Sequence, residues 1–83
     1  MTETTEEFEI AQDGLKRIED AIVRVLEKHP QGLRNYEIAE ELGLRSDFQG
    51  KQKDYLTYSV LGGLLRKTQV VWDQRTKLFT RAE

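Results

Sequence analysis

The sequence predicts a small α+β domain in which three helices are followed by a C-terminal β-hairpin. Apolar residues recur at spacings of three and four up to Leu65, which is typical of amphipathic helices. The β-branched and aromatic run Val70-Val71-Trp72 then begins a segment typical of short strands. A chain of 83 residues has room for one hydrophobic core. We therefore expect a disordered acidic tail over residues 1–11 and one domain over residues 12–83.

The first helix is predicted from one apolar stripe, and the charged residues between its members, among them Glu19, are expected to face water. Pro30 should end this helix, because the residue before a proline disfavours the helical conformation and proline lacks an N–H. The stripe consists of Leu15, Ile18, Ile22, Val25, Leu26 and His29.

A short second helix is predicted after this proline. Asn35 is the expected N-cap, since its side-chain oxygen can accept a backbone N–H of the first turn. Ile38, Ala39 and Leu42 should form the buried stripe. Gly43 is expected to end the helix in the left-handed conformation.

The third helix is predicted from about Gln52 to Arg66, after a loop over residues 45–50 that Phe48 is expected to anchor. Its apolar stripe continues through Gly62-Gly63, so one unbroken helix is expected although each interior glycine costs about 1 kcal/mol relative to alanine.

The hairpin is predicted to pair a strand at Val70–Trp72 with a strand at Lys77–Thr80. A type I turn with Asp73 at its first position suits the residues between them. An isolated hairpin is marginally stable in water, so this one must pack on the helices. Leu33 can add a third short strand.

The predicted core combines the apolar stripes with the hairpin aromatics. Tyr55 is also expected in the core rather than stacked on a base, because an aromatic residue beside a leucine stripe is more often buried. The residues expected to be mostly buried are Leu15, Ile18, Ile22, Val25, Leu26, Ile38, Leu42, Leu56, Leu61, Leu64, Leu65, Trp72 and Phe79.

The formal net charge of -2 is unevenly distributed along the chain. Residues 1–50 carry twelve acids and six bases, whereas residues 51–83 carry three acids and seven bases. This asymmetry suggests that one face binds a polyanion. The alternative interpretation is a solvated surface without a partner.

The segment Glu37–Leu44, with the sequence EIAEELGL, precedes an apolar third helix and a hairpin. In this order it resembles the winged helix-turn-helix superfamily of DNA-binding domains, over about Leu15 to Arg81. The resemblance implies that about 51–66 is the recognition helix and about 72–78 is the wing. The segment from Ser46 to Gly63 is also similar to winged-helix modules linked to restriction systems. The chain departs from the pattern in its long connection after Gly43 and in a wing tip without glycine.

The function expected from this resemblance is duplex DNA binding in transcription regulation or a restriction-related system. One α-helix fits the major groove, and the basic turn of the hairpin can contact the backbone. The helix start should also favour phosphate through its N–H groups. A dimer or a fused partner protein would supply the remaining affinity. The predicted DNA-binding residues are Lys51, Gln52, Lys53, Thr57, Tyr58, Gln74, Arg75 and Lys77.

Other classes of function find less support in the sequence. No cysteine is present and His29 is the single histidine, so we expect no enzyme, no metal site and no cofactor. No apolar run is long enough to span a membrane, and no secretory signal is recognisable at Met1, so the cytoplasm is the expected compartment. The alternative function is a winged-helix protein-docking module that does not bind DNA.

Overall fold

A computed structural model of the chain describes residues 5–48 and 51–83. It contains three helices and two separate antiparallel hairpins, one of which follows the third helix. No helix in the described ranges is long and apolar enough to cross a membrane. The elements are α1 (Glu6–Glu27), α2 (Asn35–Leu42), β1 (Ser46–Phe48), β2 (Lys51–Lys53), α3 (Tyr55–Arg66), β3 (Val70–Trp72) and β4 (Phe79–Arg81).

Helix α1 begins at Glu6, so residues 6–11 of the predicted disordered tail are helical. The Thr5 side chain caps the helix by accepting a hydrogen bond from the Phe8 N–H at 3.0 Å. Three glutamates in the first turn also suit the positive end of the helix dipole. The polar sequence that resembles an irregular tail is therefore a strong helix start.

Helix α2 ends as predicted but begins differently. Gly43 has φ of 68° and the Leu44 N–H donates to the Ala39 carbonyl at 2.8 Å, which confirms the predicted glycine end. The predicted N-cap is wrong, because Asn35 lies inside the helix and Arg34 precedes it. The Arg34 N–H donates instead to Glu37 Oε1 at 2.8 Å.

A short hairpin separates α2 from α3, where the sequence analysis expects a loop and the start of the third helix. Ser46 pairs with Lys53 and Phe48 pairs with Lys51. The third helix therefore begins at Tyr55 rather than at about Gln52, but it continues unbroken through Gly62-Gly63 as predicted. The prediction that Phe48 anchors the loop concerns a side chain outside the described part of the structure.

The C-terminal hairpin is confirmed, with Val70 opposite Arg81 and Trp72 opposite Phe79. Its second strand is Phe79–Arg81 rather than the predicted Lys77–Thr80, because the turn extends to Lys77, which has φ of 66° and donates its N–H to the Asp73 carbonyl. Asp73 begins the turn, and its Oδ1 accepts hydrogen bonds from the Arg75 and Thr76 N–H groups.

Leu33 forms an isolated antiparallel bridge with Phe79, as the third short strand predicts. The two residues exchange both backbone hydrogen bonds, at 3.0 and 2.7 Å. The preceding Gly32 has φ of +98°, and a Cβ atom there would lie 3.0 Å from the Phe79 carbonyl oxygen. Only glycine satisfies both the conformation and the close approach to β4.

The core lies where α1, α2, α3 and the C-terminal hairpin meet. Ten of its apolar residues form one buried cluster, to which Ile18, Leu42 and Leu65 add partly buried contacts. The cluster consists of Ile22, Val25, Leu26, Leu33, Ile38, Val60, Leu61, Leu64, Val70 and Phe79.

Three of the predicted core residues are exposed: Leu15, Leu56 and Trp72. Leu15 lies on α1 before the first residue that packs on the cluster, and Leu56 lies on the far side of α3 from Leu61. Tyr55, which is 71% exposed, is likewise not in the core.

Two polar residues expected on the surface are buried. Glu19 is 5% exposed because its carboxylate accepts a hydrogen bond from Lys67 Nζ at 2.8 Å, which joins α1 to the end of α3. Thr57 is fully buried, and its hydroxyl donates to the Asp54 carbonyl at 3.1 Å. In each case a hydrogen bond compensates for the loss of contact with water.

Candidate nucleic-acid interface

The buried face of α3 determines which of its side chains can reach a ligand. Thr57, Val60, Leu61 and Leu64 face the core. The prediction that Thr57 contacts DNA is therefore wrong, because this side chain has no exposed surface. At 100° per residue the opposite side of the helix carries Tyr55, Ser59, Gly62 and Arg66, with Tyr58 beside them.

Tyr58 is 66% exposed, as its predicted role requires. Arg66 and Tyr55 are exposed on the same side of the helix, but neither is among the predicted DNA-binding residues. The predicted buried stripe includes Leu56 rather than Thr57, so the predicted outward face of the helix is rotated and does not include Tyr55 or Arg66.

Asp54 fixes the start of α3 against the rest of the molecule. Its carbonyl accepts hydrogen bonds from the Tyr58 N–H, the Thr57 hydroxyl and Asn35 Nδ2. Its carboxylate pairs with Arg45, with Nε and Oδ1 3.0 Å apart. Asp54 therefore joins the start of α3 to Asn35 of α2 and to Arg45, which follows α2 in the chain.

Strand β2, and not α3, carries the predicted contacts Lys51, Gln52 and Lys53. The expectation that Lys51 stands at a helix start is therefore wrong, since α3 begins four residues later at Tyr55. Their side chains lie outside the described part of the structure. The backbone of these residues forms a basic strand, Lys51–Lys53, which ends directly before Asp54 at the N-cap position of α3.

The turn of the C-terminal hairpin carries the other predicted contacts. Gln74, Arg75 and Lys77 are all exposed, as contact with a nucleic acid requires. Lys77 Nζ lies 5.1 Å from the centre of the Trp72 ring, within the range of a cation–π interaction. The Trp72 ring in turn lies 6.2 Å from that of Phe79, between ring centres.

An open groove separates α3 from this hairpin. Its volume is about 580 Å³, within the range of about 300–1,000 Å³ typical of ligand sites. We call it the aromatic groove, because four of its side chains are aromatic. It is lined by Arg34, Asn35, Tyr36, Asp54, Tyr58, Gly62, Leu65, Trp72, Lys77 and Phe79.

The groove brings together parts of the site that are distant in the sequence. Tyr58, Gly62 and Leu65 recur at helical spacing along one edge of α3, while Trp72, Lys77 and Phe79 form the opposite wall. Within the described ranges neither Arg34 nor Lys77 has an ion-pair partner, whereas the carboxylate of Asp54 is paired with Arg45. The rim of the groove therefore carries two cationic side chains, Arg34 and Lys77, without an ion-pair partner among the described residues.

Two residues outside the groove have structural roles. Nε2 of His29 lies 3.2 Å from Glu41 Oε1, so the histidine joins the end of α1 to α2.

The described residues contain no group of three or more side chains suited to hold a metal ion.

These features define the class to which the chain belongs in structural terms: a small α+β fold with three helices and an antiparallel hairpin after them, compatible with a winged helix. Comparisons with protein-family models, with curated proteins and with solved structures give no match to the chain.

Proposed function

We propose that the chain is a winged-helix domain that binds duplex DNA with the outward face of α3 and the turn of the C-terminal hairpin. The observation that carries the proposal is the aromatic groove, since Tyr58 of α3 and Lys77 of the hairpin line the same surface. An exposed helix face next to a basic hairpin turn suits a duplex, because the helix can enter the major groove while the turn meets phosphates.

The distribution of charge supports the same surface. Arg66 lies on the outward face of α3, Arg75 and Lys77 lie on the turn, and the strand Lys51–Lys53 precedes the helix. On α1, by contrast, Lys16 and Arg17 each pair with an aspartate one helical turn away. The hydrogen bond to Asp20 raises the pKa of Lys16, which is consistent with an ion pair within α1.

The test reverses two charges at the proposed surface and two elsewhere. Lys53→Glu with Arg75→Glu should abolish binding to a mixed-sequence duplex at low salt, because phosphate neutralisation supplies most of the affinity. Lys16→Glu with Arg17→Glu changes the net charge equally on α1 and should retain most binding. If both double variants bind as tightly as the parent, the proposed surface is wrong.

The salt dependence provides a second measurement. The affinity of the parent for duplex should fall steeply as the salt concentration rises. A plot of log affinity against log salt concentration should have a slope of about −0.9 for each phosphate contact. A partial loss of contacts should lower the magnitude of this slope by about one unit for each one lost.

A protein-docking module is the second candidate function, and a different part of the molecule favours it. The first turns of α1 expose Phe8 and Leu15, which lie seven residues apart on one side of the helix, and Ile10 on the other side. Exposed apolar patches on small domains often mark protein contacts. No binding to mixed duplex at low salt, for parent protein that is folded, would favour docking over DNA binding.

A further inference from the structure

We infer that the aromatic groove receives one unpaired nucleobase from the bound nucleic acid. The inference rests on the proposed function and adds a specific ligand to it. A fully paired duplex offers no base that could enter the aromatic groove, so the ligand must be an unpaired base. An enzyme or binding protein reaches such a base when it is bulged, mismatched or turned out of the helix.

The walls of the groove suit a flat aromatic ligand. Tyr36 and Tyr58 are 47% and 66% exposed, so each offers ring surface that a stacked base would cover. Stacking on such side chains is tolerant of sequence, because every base has two aromatic faces. Trp72 is 40% exposed and carries Lys77 over its ring, so it forms the cationic side of the groove. Gly62 keeps the α3 wall low, since a Cβ atom there would meet only the Arg66 guanidinium, at 3.7 Å.

The polar groups favour a nucleotide over a purely apolar ligand. Arg34 and Lys77 lie at the groove without ion-pair partners among the described residues, where they can meet the phosphates that flank an unpaired base. Asn35 also lines the groove, and its Nδ2 donates to the Asp54 carbonyl. A hydrocarbon ligand would give the two cationic side chains no partner, whereas a nucleotide supplies phosphate oxygens.

Trp72 makes the inference directly measurable, because it is the single tryptophan of the chain. Three duplexes of the same sequence serve as probes: fully paired, with one bulged adenine, and with an abasic residue in place of that adenine. The bulged duplex should quench Trp72 fluorescence and bind about 5- to 100-fold more tightly than the paired one, the range expected for one stacked base. The abasic duplex should lose both effects.

Two exposed tyrosines of α3 supply a matched pair of variants. Tyr58 lines the groove and Tyr55 does not. Tyr58→Ala should therefore remove the preference for the bulged duplex, whereas Tyr55→Ala, on the proposed duplex-binding face, should weaken binding of both duplexes alike and keep their ratio. Gly62→Leu, which places a side chain in the groove, should act like Tyr58→Ala. Thermal unfolding of each variant checks that the fold is retained.

The outcomes separate this inference from the proposed function. Equal affinity and equal fluorescence for all three duplexes would overturn the inference while leaving duplex binding in place. Binding and quenching by a short single strand, with no binding of paired duplex, would support the base site and overturn the duplex proposal. Absence of binding to every probe would overturn both.

Discussion

The two sides of α3 differ in what they contact and therefore in what they contribute. Thr57, Leu61 and Leu64 on the inner side are buried, whereas Tyr55 and Tyr58 on the outer side are mostly exposed. The inner side should determine stability, and the outer side is available to a ligand. Substitutions on one helix should thus separate into two classes according to their position around its circumference.

The largest effect should follow truncation of the inner side. Leu61 is 1% exposed, so Leu61→Ala should lower the free energy of unfolding by about 2–5 kcal/mol through lost burial and the cavity left behind. Denaturant unfolding measures this change. Leu56→Ala is the control on the same helix, and because Leu56 is 47% exposed it should cost far less. A melting temperature unchanged by Leu61→Ala would mean that the buried side of α3 is assigned incorrectly.

A smaller loss should follow removal of the buried hydroxyl. Thr57→Val keeps the shape of the side chain but loses the hydrogen bond to the Asp54 carbonyl, which should cost about 0.5–1.5 kcal/mol. Two other donors still satisfy that carbonyl, so the helix start should persist. Ser59→Ala, on the exposed side, is the matched hydroxyl deletion. Equal effects of the two substitutions on the unfolding free energy would contradict the comparison.

The glycine pair sharpens the comparison with a gain in stability. A Cβ atom at Gly62 or Gly63 would make only ordinary contacts, at 3.7 Å or more, so alanine at either position should raise the unfolding free energy by up to about 1 kcal/mol. Gly62 lines the aromatic groove and Gly63 does not. Calorimetry should therefore find similar stabilisation for both variants. Weaker binding of a bulged duplex is expected for Gly62→Ala alone.

The smallest change in stability is expected on the outer side. Tyr55→Ala and Tyr58→Ala remove side chains that are 71% and 66% exposed, and surface substitutions of this kind usually change the unfolding free energy by less than about 0.5 kcal/mol. Thermal unfolding checks the expectation. A loss of several kcal/mol for Tyr58→Ala would mean that this tyrosine supports the hairpin and is not a free ligand contact.

Local patterns predicted the helices and the last hairpin because they depend on neighbouring residues. Periodicity places α1, α2 and α3, and Gly43 ends α2 in the expected conformation. The β1–β2 hairpin has no comparable signal, since its two strands are polar apart from Phe48 and gain their structure from pairing with each other.

The errors in the predicted core have a different physical cause. Leucine at position 56 and leucine at position 61 are chemically identical, so composition cannot distinguish the exposed one from the buried one. Glu19 is buried only because Lys67, far along the chain, supplies its partner. Such burial depends on tertiary contacts that no local pattern encodes.

The candidate site was predicted only in part, because it also depends on tertiary contacts. The hairpin turn is exposed as expected, because turn residues have a local signature. Tyr58 is exposed as its predicted role requires, whereas Tyr55, predicted in the core, is also exposed. The aromatic groove itself joins the start of α2, one edge of α3 and the hairpin. Arg34 therefore entered the site only once the fold had brought these elements together.

The bridge between Leu33 and Phe79 also bears on the order in which the protein folds. It joins the connection after α1 to the last strand, so it closes a loop that contains most of the domain. Closing a loop of this length costs chain entropy before the contact is gained. The helices can form early from local interactions, but Val70 and Phe79 can complete the core only when β4 docks beside Leu33. Docking of the last strand beside Leu33 is therefore expected to be a late step in folding.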